Sequence, residues 1–272
     1  MLRGFYTAAS GMIAQQRNQE MISNNLANVN TPGFKADQAT LRSFPELLMK
    51  QMGTKSVPTT NGLQLKENRT IGSLSTGVYA QESIPNFQQG PIRETGIITD
   101  LAIVDGEKPE EMGGIFFSVA NDNGDIRYTR NGNFTVDGEG FLTTNEGHYV
   151  LDQAGNPIQT NGLDFVVTTN GMVQFEDGNA LLGIVYIANA NDLIKEGNLL
   201  SADEAGVEAE DPATAGANFS VLQQTLESSN VNPLQAMTEM MQAYRTFEQN
   251  QRVLKTYDES MGKAVNEIGR LG

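Results

Sequence analysis

Few side chains in this sequence are equipped for catalysis. Its single histidine, His148, sits in Asn145-Glu146-Gly147-His148-Tyr149, so a Ser-His-Asp system or a histidine-rich zinc site would rest on one residue. We expect it to be an ordinary exposed turn residue. Cysteine is absent, which removes disulfide, thiolate and iron–sulfur chemistry. The stretches "NDNGD" (121–125) and "DGEG" (137–140) brush against the Asp/Asn/Gly pattern of calcium loops. Neither runs on to a closing glutamate between two helices, so both read as hairpin turns. No Gly-x4-Gly-Lys-Ser/Thr phosphate loop occurs, and Gly138 and Gly140 stand between strands rather than at a strand-to-helix turn. The 33 acidic residues offer many carboxylate pairs for glycoside hydrolysis, but nothing in their spacing sets two in a cleft. The expectation is a non-enzymatic chain with no cofactor and no metal. The alternative from another class is a cell-wall glycan hydrolase or binding module.

With so little chemistry, the elements themselves carry the information. From Gly4 to Val29 apolar residues fall near a heptad: Phe5, Ala8, Met12, Ile22, Leu26 and Val29 share a seam, with Gln15 and Gln19 at its centre. This predicts one long N-terminal helix. Asn232-Pro233 opens a second helix, with Asn as cap, Pro at the first position and Gln235 three residues after the cap. Its seam runs Met240, Ala243, Phe247, Asn250, Leu254, Tyr257, Met261, Ala264, Ile268, Leu271. A second apolar stripe, Leu234, Met237, Met241 and Tyr244, begins the same helix. One partner helix covers one stripe, so something else must pack on the other.

Between the helices the period changes. Glycine-bearing turns recur from Gly114 to Gly178, separated by short alternating runs such as "IFFSVA" and "DFVVTT". Asn-Gly and Asp-Gly steps favour type I′ turns, which predicts consecutive hairpins continuing through "ALLGIVYIAN". Gly53–Gly77 and the acidic stretch 201–218 read as loop-like or extended. The fold class expected is α+β multi-domain: N- and C-terminal long helices forming an α-helical coiled-coil domain, with an inserted all-β domain. The boundaries are 1–35 plus 228–272 for the helical polymerisation domain, 36–95 for an extended connecting region, 96–200 for the β domain and 201–227 for an acidic return linker.

Net charge is −15, and residues 36–227 hold −17 of it against +2 in residues 1–35 and zero in 228–272. An acidic middle argues against nucleic acid, which needs clustered Lys and Arg. No run of about 18 apolar residues exists to insert in a membrane, and the N-terminus lacks the apolar core of a signal peptide.

The stretch "NNLANVNTPGFK" (24–35) ends the first helix in asparagines and a turn. Asn28 and Asn30 can bond free carbonyls or adopt left-handed backbone, and Pro32-Gly33 fits a type II turn. Asn24 and Asn25, still helical, offer amide contacts to neighbouring copies where charge would be costly.

Three blocks, in order, carry a resemblance. They are "YTAASGMIAQQRNQEMISNNLANVNTPGFK"; then "IPNFQQGPIRETGIITDLAI" with "YTRNGNFTVDGEGFLTTNEGHYVLDQAGNPI"; then "LESSNVNPLQAMTEMMQAYRTFEQNQRVLKTYDES". The chain resembles the bacterial flagellar rod/hook family, most closely its proximal or distal rod proteins. The resemblance implies a structural subunit of the flagellar basal body, exported by the flagellum's own apparatus without a cleaved signal. Its partners would be copies of itself and other rod and hook subunits. Its terminal helices would line an axial channel and polymerise into a helical tube that transmits torque from motor to hook. A hook or hook-junction component is the alternative within the family. On this reading the contact residues are Phe5, Met12, Ile22, Asn24, Asn25, Leu26, Asn28, Leu234, Met237, Met241, Tyr244, Phe247, Leu254, Met261 and Ile268. One departure stands out: "VDGEKPEEMGGIFF" (104–117) inserts "EKPEE", expected to be a charged loop.

Overall fold

The computed structural model describes residues 2–56, 64–110, 112–121, 123–176, 178–202 and 207–268. It is a mixed α/β chain with a helix at each end and many strands between. Two units are present: residues 1–23, 39–83 and 234–272 form one, and residues 24–38 and 84–233 the other.

In the first unit, α1 (Leu2–Ala27) and the long C-terminal helix (Pro233–Ile268) face each other through small residues. Gly4 leaves room for the Tyr257 ring, and a Cβ at Gly11 would lie 3.0 Å from Asn250 Nδ2. Residue numbers rise by seven on one helix as they fall by seven on the other, so the pair is antiparallel. The glycines stand beside the expected seam of α1, whose residues are all buried or half-buried. The deepest residues of α1 in this unit are Ala8, Ala14 and Ile22, while Phe5 and Met12 are half-buried. Small residues set the approach because the larger Tyr257 and Asn250 fill the space that glycine leaves. The seam expected on the C-terminal helix is the face turned inward: Ala243 is buried, and Met240, Phe247, Asn250, Leu254, Tyr257, Met261 and Ala264 are half-buried. Leu271, placed on the same seam, lies outside the described residues, as does the side chain of Ile268.

Strands β1 (Asp37–Ser43), β2 (Leu47–Ser56), β3 (Gln64–Leu74) and β4 (Val78–Pro85) follow α1. β1 pairs with β4, and β2 with β3 from Leu47↔Leu74 to Ser56↔Gln64. In its described part, the polar stretch read as loop-like or extended is thus a hairpin arm. Its Thr, Lys, Asn and Arg residues gave no apolar alternation to mark a strand. Leu48, Met52 and Ile71 of this hairpin are exposed.

The second unit holds β5 (Ile92–Glu94), β6 (Leu101–Asp105), β7 (Gly114–Ala120), β8 (Ile126–Thr129), β9 (Phe134–Val136), β10 (Leu142–Thr144), β11 (Tyr149–Val150), β12 (Val166–Val167), β13 (Met172–Phe175), β14 (Gly178–Leu181), β15 (Ile184–Ile187), β16 (Ile194–Glu196), β17 (Leu199–Ser201), β18 (Phe219–Gln223) and β19 (Thr225–Glu227). The largest sheet runs β16-β17-β8-β7-β11-β10-β9, with β15 also on β7. β7 is buried on both faces: Ile115, Phe117 and Val119 enter the main core, and Phe116 enters a second cluster with Tyr128, Ile187 and Leu193. The acidic stretch 201–218, in its described part, is more regular than expected. Glu210 bridges to Tyr186, and Pro212–Ala215 forms one helical turn, α2, capped by Asp211 and by Gly216 at φ 76°.

Five hairpins repeat one geometry, and it is not the expected type I′. Asn121, Asp137, Thr144, Asp152 and Thr168 each accept, at the carbonyl, the N–H of a glycine three residues on: Gly124, Gly140, Gly147, Gly155 and Gly171. These glycines have φ between 81° and 94°. The side-chain oxygen of the same five residues accepts the N–H four residues on, at 2.7–3.2 Å. One left-handed residue after a tight turn gives a three-residue loop with a glycine bulge. Type I′ would need two consecutive positive φ values, and the residues before these glycines do not have them. His148 closes the third of these turns and is half-buried, not exposed, with Nε2 3.7 Å from Glu146. We expect Gly147→Ala and Gly155→Ala, which have open space at the Cβ, to lower stability by about 1–2 kcal/mol through the left-handed backbone alone. Gly140→Ala, whose Cβ would also sit 2.9 Å from Asn161 Cα, should cost more. Denaturant titration of the three variants ranks them; equal losses would refute the steric contribution.

Candidate functional site

The segment 24–35 and the residues leading into the C-terminal helix meet inside the second unit. Thr31 to Phe34 form the expected type II turn: Phe34 N–H donates to the Thr31 carbonyl at 3.3 Å, and Gly33 has φ 70°. A Cβ at Gly33 would lie 2.5 Å from the Arg130 carbonyl carbon, so glycine is required twice over. Gly33 N–H donates to the Glu227 carbonyl at 2.8 Å.

Beneath this turn lies a buried ion network. The Glu227 carboxylate, 2% exposed, accepts from Lys35 Nζ at 2.6 Å, Gly90 N–H at 2.8 Å and Arg130 Nε at 2.6 Å. Lys35 Nζ also donates to the Gln88 carbonyl at 2.9 Å. Arg130 also donates to the Ile115 and Ile103 carbonyls and to Asp105 Oδ1, the last at 2.6 Å. Lys108 closes the chain on Asp105 Oδ2 at 2.6 Å. The inserted "EKPEE" is therefore more than a charged loop. Its lysine is half-buried against the network, and Glu111 lies outside the described residues.

Burial penalises the Lys35 ammonium and Arg130 adds to that, so Lys35 stays below its ordinary 10.5 although Glu227 opposes the shift. Burial alone would raise the Asp105 carboxyl, but Arg130 and Lys108 outweigh it and hold the group below 3.8. Arg130 would be lowered by burial, but Glu227 and Asp105 hold it above its ordinary value.

Amides complete the junction. Asn25 is buried and pairs with the Asp37 backbone in both directions, Nδ2 to the carbonyl at 2.8 Å and Oδ1 from the N–H at 2.9 Å. Asn230 Oδ1 accepts from Ala36 N–H at 2.7 Å, and its Nδ2 donates to the Asn86 and Gln88 carbonyls. Asn28 Nδ2 donates to the Asn24 carbonyl at 2.9 Å, but that carbonyl also accepts the Asn28 N–H at 3.1 Å, so it is not the free carbonyl expected. Neither Asn28 nor Asn30 takes left-handed backbone. Lys195 donates to Asp37 Oδ2 at 3.1 Å and stacks its ammonium 4.3 Å from the Phe34 ring centre.

The sequence-selected residues thus separate. Ile22 and Asn25 are buried within the chain, and Asn25 spends its amide there. Phe5, Met12, Leu26, Asn28, Pro32, Gly33, Phe247, Leu254 and Met261 are half-buried, and Asn24 is exposed. In the first unit, Leu234, Met237, Met241 and Tyr244 are 77, 49, 57 and 55% exposed, the uncovered second stripe. Met241 and Tyr244, with Met240, Gln19 and Ser23, line an open cleft. Sequence reasoning missed Lys35, Asp105, Arg130, Glu227 and Asn230 as a set. Four of the five lie inside the quoted blocks and Asp105 two residues past one, the one signal that could have found them. Among the described residues no cluster of His, Asp and Glu could hold a metal ion, and no helix is long and apolar enough to cross a membrane.

Comparison with known proteins follows the same blocks. The family model for flagella basal body rod protein matches residues 5–35. The model for the C-terminal part of flagellar basal body rod FlgEFG protein matches 222–267, and that for the flagellar hook protein FlgE/F/G D1 domain matches 112–175. The flagellar hook-basal body complex protein FlhO of Bacillus subtilis is 40% identical over the full length of both chains. The chain belongs to the flagellar basal-body rod and hook family. The flagellar basal-body rod protein FlgG of Bacillus subtilis is 32% identical, covering 98% of this chain and 99% of its own. That of Borreliella burgdorferi is 31% identical, covering 98% of each. The protein is a structural subunit of the flagellar basal body, in a family that is not enzymatic. Assembly with other rod and hook subunits is consistent with this membership.

Removing one member of the network should leave another buried charge short of a partner. Arg130→Met leaves Glu227 with Lys35 and Asp105 with Lys108 but takes the cation from Glu227 Oε2 and Asp105 Oδ1, and is expected to cost about 3–5 kcal/mol by denaturant titration; a loss under 1 kcal/mol would refute the network's role. Asp105 contributes stability above its ordinary 3.8 that is lost as pH falls through its lower folded value. The acid limb of a stability–pH curve should therefore flatten in Asp105→Asn. An unchanged slope would show that Asp105 does not carry it.

Proposed function

We propose that the chain polymerises through its terminal helices into a helical tube that contains the export channel and transmits torque from motor to hook. The observation that carries this is the uncovered stripe of Leu234, Met237, Met241 and Tyr244. In this reading residues 1–35 and 228–272 form a coiled-coil polymerisation domain into which the β domain, 96–200, is inserted. Residues 36–95 and 201–227 connect them. Neighbouring copies cover the stripe, and Asn24 adds an exposed amide at the end of α1. The subunit reaches its site through the flagellar export apparatus.

The packing supports assembly-coupled order. The residues fully buried on the two helices of the first unit are mainly alanines: Ala8, Ala14, Ala236 and Ala243, with Ile22. They return little hydrophobic stabilisation against the conformational entropy of two long helices. The larger apolar groups are left for a neighbour. A specific observation favours a second reading, a component at the hook junction: the FlhO relative is described as a hook-basal body complex protein.

Met241→Glu combined with Tyr244→Glu should abolish polymerisation in a sedimentation assay while leaving the thermal unfolding of the β unit within about 0.5 kcal/mol of wild type. Far-UV circular dichroism of the wild type should show more helix in polymer than in monomer. Normal sedimentation of the double variant would overturn the assignment.

A further inference from the structure

Glu227 receives contacts from three separate segments of the second unit. Its carbonyl holds Gly33, in the turn after α1. Its carboxylate holds Lys35, Gly90 and Arg130. It lies six residues before the C-terminal helix begins at Pro233. The two connectors also bond each other directly, Asn230 N–H to the Phe34 carbonyl and Ala36 N–H to Asn230 Oδ1. Ser228 N–H donates to the Pro91 carbonyl at 2.9 Å, tying the second connector to the same 86–91 segment that Lys35 reaches through Gln88. Both connectors are therefore fastened within the second unit around a single carboxylate that is 2% exposed.

We propose that Glu227 is a positioning residue for subunit assembly. It touches no neighbouring copy. It acts by holding the 31–36 and 228–230 connectors in one fixed arrangement, so that the helices they lead to are presented together. A carboxylate suits the role because its two oxygens serve different clients. Oε1 takes Lys35 and Gly90, and Oε2 takes Arg130, so loss of charge loosens the two connectors in concert. The proposal rests on the reading that the terminal helices polymerise, and its test has an arm that does not.

The first arm is hydrogen exchange on the full-length monomer. Glu227→Gln should reduce protection at least tenfold at Gly33, Ala36, Gly90, Ser228 and Asn230 together, while the paired amides of β7 and β15 keep theirs. Protection lost on one connector alone, or on neither, overturns the proposal. Lys35→Met keeps the Glu227–Arg130 pair and guards against outright misfolding of the first variant. It should deprotect Gly33 and Ala36 with little change at Ser228. The second arm is sedimentation of polymer. Both variants should assemble at least tenfold more slowly than wild type, and wild-type assembly by either one overturns the positioning role. If the Met241/Tyr244 variant also assembles normally, it is the helix-polymerisation reading that fails, and the exchange arm still decides whether Glu227 holds both connectors.

Discussion

A carboxylate taken out of water must be answered by charge and by hydrogen bonds, and Glu227 is the place where this chain meets that demand. Its partners come from residues 35, 90 and 130, far apart in sequence and brought together only when the second unit is complete. Arg130 passes the charge on to Asp105, and Lys108 ends the series at the surface. Such a set is costly to leave incomplete, because an ion left alone would carry a desolvation cost of several kcal/mol. The network is thus a constraint on topology more than a source of stability. The turn at Pro32-Gly33, the close approach of Gly33 to Arg130 and the amide of Asn230 are arranged around it.

The β unit supplies the fixed background for this junction. β7, buried on both faces, places Ile115 where its carbonyl accepts from Arg130, and β6 does the same with Ile103. The five alike hairpins close neighbouring strands with a side-chain oxygen as an extra acceptor, so each turn satisfies its own backbone. On the two helices the buried apolar residues are mainly alanines, with larger side chains half-buried on the inward seam and others exposed on the second stripe.

Legibility followed the range of the interaction. The second apolar stripe was readable at Leu234, Met237, Met241 and Tyr244 because helical period is local, and so was the type II turn at Pro32-Gly33. The seam of α1 was readable, since Ala8 and Ile22 are buried and its other members half-buried, but Gly4 and Gly11 beside it were missed because they carry no apolar signal, although they set the closest approach. Turn type was misjudged because Asn-Gly and Asp-x-x-Gly look alike until the φ of the residue before glycine is known. The ion network was invisible to period and propensity. Lys35 and Glu227 stand 192 positions apart, and a lone Lys or Glu in a sequence reads as surface. Asn25 was read as a group for neighbours, yet it serves the chain's own Asp37, since a helical asparagine gives no sign of which backbone lies opposite.

The uncovered stripe has a material property of its own. Two thioethers, Met237 and Met241, lie on it with Leu234 and Tyr244, all four exposed. Unbranched and polarisable, methionine reshapes to whatever surface it meets at little energetic penalty. A contact made this way would conform to unlike neighbours as readily as to identical ones. On the proposed reading, softness of this kind would let one surface serve more than one mate.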